Sequence, residues 1–432
     1  MIRKNLLLVA LLAAVIAASM PAPSAGAYTS TNGLLAFRTD RGGRGEIYTM
    51  DASGGSLTNL TRSTSVQDVD PAWSPDGTMI AFARRIRQIR KTDLFLMSAN
   101  GGSRIRLTTT QVAERSPAWS PDGTMIAYSA RTSPPGPFRI FVMSAGGGGR
   151  RLLTTQTAGT YDANPSWSPD GTRILFDTNR DGGFPELYVM SADGTGQVRL
   201  TNNGYVDANA AWSPDGTRIA FVRCCPDGTN EIYVMNADGT GEVNLTLTAD
   251  VEEAQPSWSP DGAMIAYAGL PAGGGNIDLF VMNADGTGQT RLTNDPSPDL
   301  APSWQPVPVC TISGTSDADV LTGTAESDVI CAGAGDDIVR AGDGFDLVYG
   351  GAGSDTLRGD EGNDLLYGEG GDDLLSGGPG FDGLNGGAGT DTCTRGADGA
   401  FTRLCEAPFG VLGTNLAPRE SLDSQGPTST FV

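Results

Sequence analysis

The chain is 432 residues long, with 50 acidic and 29 basic side chains, no histidine and a formal charge of −21. A surface of that sign repels phosphate backbones and anionic lipid, which sets nucleic-acid binding and peripheral membrane attachment aside. Without histidine no Ser-His-Asp or Cys-His pair can form and no imidazole can hold zinc or haem, so any catalysis is left to carboxylates or to Tyr and Arg.

At the amino terminus Arg3 and Lys4 precede an apolar run from Leu6 to Ala18, and small residues end at Ala25-Gly26-Ala27. A basic start, a short hydrophobic stretch and an Ala-x-Ala site predict a secretory signal peptide over residues 1–27, cut before Tyr28. The run falls short of the ~20 apolar residues a spanning helix needs, and no later segment reaches that length, so no membrane insertion is expected. All six cysteines lie beyond it: Cys224, Cys225, Cys310, Cys331, Cys393 and Cys405. Export into an oxidising compartment favours disulfides, although six cysteines permit about 15 connectivities. Proximity favours Cys310–Cys331 and Cys393–Cys405. That leaves Cys224 and Cys225 to each other or as free thiols.

The first of two repeat systems follows. Trp-Ser-Pro-Asp-Gly recurs at Trp73, Trp119, Trp167, Trp212 and Trp258, with a variant Trp-Gln-Pro at Trp304, at spacings of 45 to 48 residues. Each unit reads as four short strands. One ends at the tryptophan, and Ser-Pro-Asp-Gly makes a tight turn in which proline presets φ and Gly77 or its equivalents take a positive φ. Ile219-Ala220-Phe221-Val222 and Glu231-Ile232-Tyr233-Val234-Met235 illustrate the next two strands, and a last strand ends in Leu-Thr, as at Leu200-Thr201 and Leu292-Thr293. Strands apolar on both faces suit sheets stacked between neighbouring sheets, and four strands per unit of this length describe a propeller blade. Residues 33–61 supply three strands without a tryptophan strand, and residues 301–306 supply a tryptophan strand with nothing after it. Joined, they make one blade from both ends, removing both exposed edges. The expectation is an all-β chain with a six-bladed β-propeller over residues 28–306.

The repeat Pro-x-Trp-Ser-Pro-Asp-Gly-x-x-Ile-Ala-(Phe/Tyr), followed by Val-Met-(Asn/Ser)-Ala-Asp-Gly-Thr-Gly and Leu-Thr, resembles the TolB-type propeller repeat. In TolB a separate α/β domain precedes the propeller. Here the blades follow the leader directly, which argues against a component of the Tol system. Similar blades accompany prolyl-oligopeptidase-like peptidases, but no Gly-x-Ser-x-Gly elbow with a partner histidine is present. Asp193, Asp238 and Asp285, in Ala-Asp-Gly-Thr-Gly loops, partly resemble a calcium loop, yet turn chemistry alone explains Asp-Gly there. The aspartates of the Ser-Pro-Asp turns (Asp76, Asp122, Asp170, Asp215 and Asp261) read as turn formers too.

After a linker, residues 307–313, composition changes sharply. From Cys310 onward there are 21 acidic and 5 basic residues, so most of the net charge lies in this last part. Residues 314–394 divide into nine gapless nonapeptides. Position six is aspartate in every copy: Asp319, Asp328, Asp337, Asp346, Asp355, Asp364, Asp373, Asp382 and Asp391. Position eight is apolar from Leu321 to Leu384 and is Cys393 in the last copy. The pattern Gly-Gly-x-Gly-x-Asp-x-apolar-x, complete in Gly350–Arg358, resembles the RTX calcium-binding β-roll repeat.

That resemblance implies a parallel β-roll in which each nonapeptide is half a coil and copies 18 residues apart stack. Calcium is then expected between Asp337 and Asp355, Asp355 and Asp373, and Asp373 and Asp391 on one side. On the other side the pairs are Asp346/Asp364 and Asp364/Asp382. Carbonyl ligands are expected from glycines at positions two and four, since a hard cation takes six to eight oxygens. In the earlier copies these are Gly333, Gly335, Gly342, Gly344, Gly351 and Gly353. In the later ones they are Gly362, Gly371, Gly378, Gly380, Gly387 and Gly389. The copies at Gly314 and Gly323 carry Asp317 and Glu326 where the second-half glycine belongs and read as a cap with poor metal binding. Stacked aspartates over a thin core should fold only with the metal. The tail, 395–432, lacks periodicity and any cell-wall sorting motif, and the general secretory route is expected.

Three function classes remain. The favoured one is a secreted, non-catalytic calcium-binding protein whose propeller presents a face to a protein or glycan partner. The alternatives are an extracellular propeller enzyme, such as a polysaccharide lyase or peptidase relative, and a structural adhesin or surface component.

Overall fold

The computed structural model describes residues 30–394 and 401–403, apart from 64, 87–90, 103, 135, 156–158, 225–228, 248–250, 272–274 and 381. The expected signal peptide, Cys225, Cys405 and most of the tail lie outside the described residues. Among those described there is no helix.

Six four-stranded antiparallel sheets form the propeller. Blades 1 to 5 have inner strands Asp68–Trp73, Glu114–Trp119, Asp162–Trp167, Asp207–Trp212 and Val251–Trp258. Blade 6 pairs its inner strand, Asp299–Pro308, with Ser30–Thr39 from the other end of the chain. The ring is thus closed by hydrogen bonds between sequence extremes, as expected.

Between neighbouring blades lies one apolar layer, and a tryptophan takes part in each. Trp212 of blade 4, for example, packs with Leu175, Leu187 and Val189 of blade 3 and Ile219 and Phe221 of its own blade. Each central strand is therefore covered on both sides, which is why Ile-Ala-Phe runs show no alternation.

The turns are built by side chains. In blade 4, Ser213 accepts the Arg218 N–H at 2.9 Å and donates to Asp215 at 2.5 Å. Gly216 sits at φ +67, and a Cβ there would touch Pro169 of the preceding turn at 3.6 Å. The turns thus stack proline to glycine around one rim of the ring.

The outermost strands are shorter than expected. They end just before Leu-Thr, as at Val198–Arg199 and Thr290–Arg291. The threonine instead anchors the third strand. Thr61, Thr108, Thr154, Thr201, Thr246 and Thr293 accept the N–H groups of Ile47, Leu94, Ile140, Leu187, Ile232 and Leu279 at 2.9 to 3.1 Å.

The C-terminal part is a solenoid of two parallel sheets. One holds Val329–Ala334, Leu347–Ala352 and Leu365–Gly370, and the other Ile338–Gly344, Thr356–Gly362 and Leu374–Ser376. Partners lie 18 residues apart, as in Ile330↔Val348↔Leu366↔Leu384. The core is the position-eight row, from Ile330 and Val339 to Leu375 and Leu384, buried between the two sheets.

The expected linker at 307–313 is mostly strand. The propeller's last strand runs to Pro308 and the roll starts at Ile312–Ser313. At the far end the roll adds Phe401–Arg403, beyond the expected limit at 394. Cys310 and Cys331 form the expected disulfide, with a Cα–Cα distance of 5.8 Å, at the junction. Cys393 is also disulfide-bonded.

Candidate metal centre

Position six of each nonapeptide follows a glycine-rich turn and precedes a strand. The stacking of coils therefore brings aspartates 18 residues apart into line. The N–H of Asp337 donates to Oδ1 of Asp355 at 2.8 Å, Asp346 to Asp364 at 3.0 Å and Asp355 to Asp373 at 2.8 Å. Asp364 donates to Asp382, and Asp373 to Asp391, each at 3.0 Å. These are the five expected pairs.

All seven carboxylates from Asp337 to Asp391 are at most 2% exposed. No hydrogen bond reaches Oδ2 of Asp337, Asp346, Asp355, Asp364 or Asp373 among the described residues. A buried carboxylate oxygen without a donor is costly unless a cation or proton meets it. Burial accordingly pushes the Asp346 carboxyl up to about 7, Asp364 up to about 8 and Asp373 up to about 6, with neighbouring aspartates adding to the rise.

The glycines explain the rest of the oxygen lining. All twelve expected ligand glycines have φ between +101 and +146. A Cβ on Gly353 would lie 2.0 Å from the carbonyl oxygen of Gly335, and one on Gly351 would lie 1.9 Å from that of Gly333. Rows of carbonyls therefore run along the turns, and a side chain at Gly351 or Gly353 would collide with them.

The first-position glycines were not expected to take part. A Cβ on Gly350 would sit 2.5 Å from Asp355 Oδ2 and 2.9 Å from the Gly368 carbonyl, and Gly359 and Gly368 repeat the arrangement. The uninterrupted glycine at position one from Gly350 to Gly386 was the available signal. Position two departs from glycine at Asp360 and Glu369, which keep the positive φ, +66 and +69.

This lining fits a hard divalent cation. Orphaned carboxylate oxygens, stacked carbonyls and space a methyl would fill are what calcium requires. Among the described residues no three Asp, Glu or Cys side chains gather at one point, so backbone carbonyls must complete any such site. The residues that would hold calcium are the aspartates from Asp337 to Asp391 with their turn glycines.

The first two copies differ in the same terms. Oδ2 of Asp319 accepts the Thr315 N–H at 2.6 Å and its hydroxyl at 2.8 Å, and Oδ2 of Asp328 accepts Thr324 likewise at 2.7 and 2.9 Å. Threonine satisfies the oxygen left orphaned elsewhere.

The other aspartates singled out in the sequence are turn residues. Asp193, Asp238 and Asp285 each accept the N–H and hydroxyl of the threonine two residues on, which holds their carboxyls below the usual range.

The propeller has one further polar feature, on its axis. Asp70, Ser116, Asn164, Asn209, Gln255 and Ala301, all at φ +50 to +54 and each followed by proline or alanine, line a small cavity. The bulge that each makes in the inner strand turns it into the channel. Asp70 accepts the Ser116 N–H at 3.1 Å, and burial raises its carboxyl above the usual range.

The sequence model of the family described as TolB beta propeller domain matches residues 13–183 and 90–274, together more than half of the chain. The chain belongs to the TolB β-propeller family. Its second part matches the RTX calcium-binding nonapeptide repeat over residues 313–348, 349–384 and 367–399. Calcium binding is what those repeats imply, and TolB-like propeller and RTX repeats together fit an extracellular or cell-envelope protein. No curated protein matches the chain.

Among solved structures, TolB from Acinetobacter baumannii is 24% identical over 65% of this chain and 67% of its own, with a TM-score of 0.54. Hydrazine synthase from Kuenenia stuttgartiensis is 16% identical over 66% and 49%, with a TM-score of 0.55. A chain of a nidogen/laminin complex is 14% identical over 64% and 99%, with a TM-score of 0.51. At these identities the likeness shows a shared propeller fold.

Proposed function

We propose that this TolB-family chain is a secreted, non-catalytic calcium-binding protein. Its roll folds around about five ions, one for each aspartate pair, and its propeller is an interaction platform for a protein or glycan. The observation that carries the calcium reading is the row of buried aspartates whose second oxygen lacks a donor, next to carbonyls that no side chain covers. Two copies whose aspartates are already satisfied by threonine lie outside this set, which supports a count below nine. The axial cavity and the rim turns of blades 3 to 5 are the propeller surfaces offered to a partner.

Calcium supplies positive charge to the ladder when bound. The chain's own residues align the carboxylates through the N–H bonds of the coil above and keep competing side chains out through glycine. Since Asp346, Asp364 and Asp373, raised to about 6 to 8, must be ionised to bind, metal uptake at these residues releases protons near neutral pH. The test is a calcium titration of chelator-treated protein, followed by circular dichroism and calorimetry. A gain of ordered structure with several ions per chain is expected. Excess calcium without any spectral change or heat would overturn the proposal.

A further inference from the structure

The two outer faces of the roll are unlike. On one sheet, the position-seven residues Val329, Leu347 and Leu365 are at most 9% exposed and cluster with Phe345. Beside them the position-nine rings Tyr349 and Tyr367 stack with centroids 5.3 Å apart. On the other sheet the same positions hold Val320, Ile338 and Leu374, 76%, 46% and 44% exposed, and the exposed Arg340 and Arg358.

The propeller rim covers the first face. The Tyr367 hydroxyl donates to Asp76, Asn363 Nδ2 lies 3.5 Å from Asp122 Oδ2, and a Cβ on Gly123 would meet Leu365 Cδ1 at 3.3 Å. Asp76 and Asp122 belong to the Ser-Pro-Asp-Gly turns of blades 1 and 2. What separates the two faces is burial at position seven and, at position nine, tyrosine at Tyr349 and Tyr367 where the other sheet has Arg340 and Arg358.

That face is not local to any one repeat. Val329, Leu347 and Leu365 come from three successive coils, and the tyrosine stack spans two of them. It therefore exists only while the coils are in register. We propose that the contact is a calcium-operated clamp, in which ordering of the roll assembles the face and fastens it to the rim turns of blades 1 and 2. The clamp rests on the calcium reading of the roll. It makes the turn aspartates Asp76 and Asp122 acceptors for the roll as well as turn formers.

The test is hydrogen–deuterium exchange on the full chain, comparing calcium with excess chelator. Turns 74–79 and 120–125 should exchange several-fold faster in chelator, while the equivalent turns 213–218 and 259–264, on blades 4 and 5 across the ring from them, should not change. Tyr367→Phe keeps the stacked ring and removes only the hydroxyl, which bonds Asp76 and Thr78 of that turn, and Leu365→Asp puts a charge on the face. Both variants should loosen turns 74–79 in calcium while circular dichroism still reports the calcium-induced ordering. Turns 74–79 that stay protected in chelator, or in both variants with an ordered roll, would overturn the clamp. Absence of any calcium-induced ordering would overturn the reading of the roll instead, so the two failures are distinguishable.

Discussion

Buried carboxylates occur in both halves of this molecule, in opposite states. In the propeller Asp68, fully buried, receives Arg84 Nε at 2.6 Å, and Asp299 receives Arg41 at 2.8 Å. In the roll Asp355, Asp364 and Asp373 are as deeply buried, with no basic partner among the described residues. The propeller supplies its own cations from arginine and closes six thick apolar layers around them. The roll has a single row of Val, Ile and Leu and leaves its charge to something from solution. One half should be stable by itself and the other only when loaded.

Removing calcium tests that difference most strongly. Two thermal transitions are expected in calcium, and a chelator should abolish the roll's transition while leaving the propeller's within a few degrees. The pH dependence follows from the raised carboxyls. Their folded values, about 6 to 8 for Asp373, Asp346 and Asp364, exceed the unfolded 3.8. Their contribution to a metal-free roll is therefore full below about pH 4 and is lost as pH climbs through 6 to 8. Circular dichroism of the chelated protein should show more order at pH 5 than at pH 8. Calcium affinity should run the other way.

Substitutions in the two halves should then diverge. Gly353→Ala places a methyl against the Gly335 carbonyl at a φ of +138 and should disrupt the roll even in excess calcium. Asp364→Asn should weaken calcium binding at least about tenfold, a change of ~1.4 kcal/mol, yet make the chelated roll no less ordered, because it keeps the Oδ1 acceptor for the Asp346 N–H and cannot ionise. Asp68→Ala strands Arg84 instead, and should lower propeller stability by about 3 kcal/mol with or without calcium. Melting curves in both media separate the two behaviours.

The same contrast governs what could be read from the sequence. Blade number and closure were legible because all six tryptophans share one register and each terminus carries an incomplete unit. Coil stacking was legible because a nine-residue period fixes Asp337 over Asp355. The role of Leu-Thr was misread. Its apolar residue suggested strand, but the threonine hydroxyl works as an acceptor for the N–H of a neighbouring strand, and a hydroxyl's partner leaves no periodicity. The part played by Gly350, Gly359 and Gly368 was missed for a related reason, since glycine at position one signals close approach without saying to what. Docking of Tyr367 on Asp76 depends on how two separately repeating units meet, and no repeat pattern encodes that.

The smallest expected effect concerns a propeller carboxylate that breaks the arginine rule. Asp177 is 2% exposed, and its Oδ1 accepts Asn164 Nδ2 at 2.9 Å and the Asn209 N–H at 3.4 Å beneath the axial ring. Burial pushes its carboxyl up to about 7, with Asp162 adding and Arg115 opposing. Raised above its unfolded value, it contributes stability below about pH 4 and loses it as pH rises through 7. Asp177→Asn keeps an oxygen for both donors and cannot ionise. The variant should match the parent at pH 5 and melt a few degrees higher at pH 8, at roughly 2–4 °C per kcal/mol for a domain of this size. Calorimetry of the propeller transition at the two pH values checks it. A parent that gains stability over the variant at pH 8 would mean that Asp177 is ionised in the fold, with Arg115 as the charge that favours it.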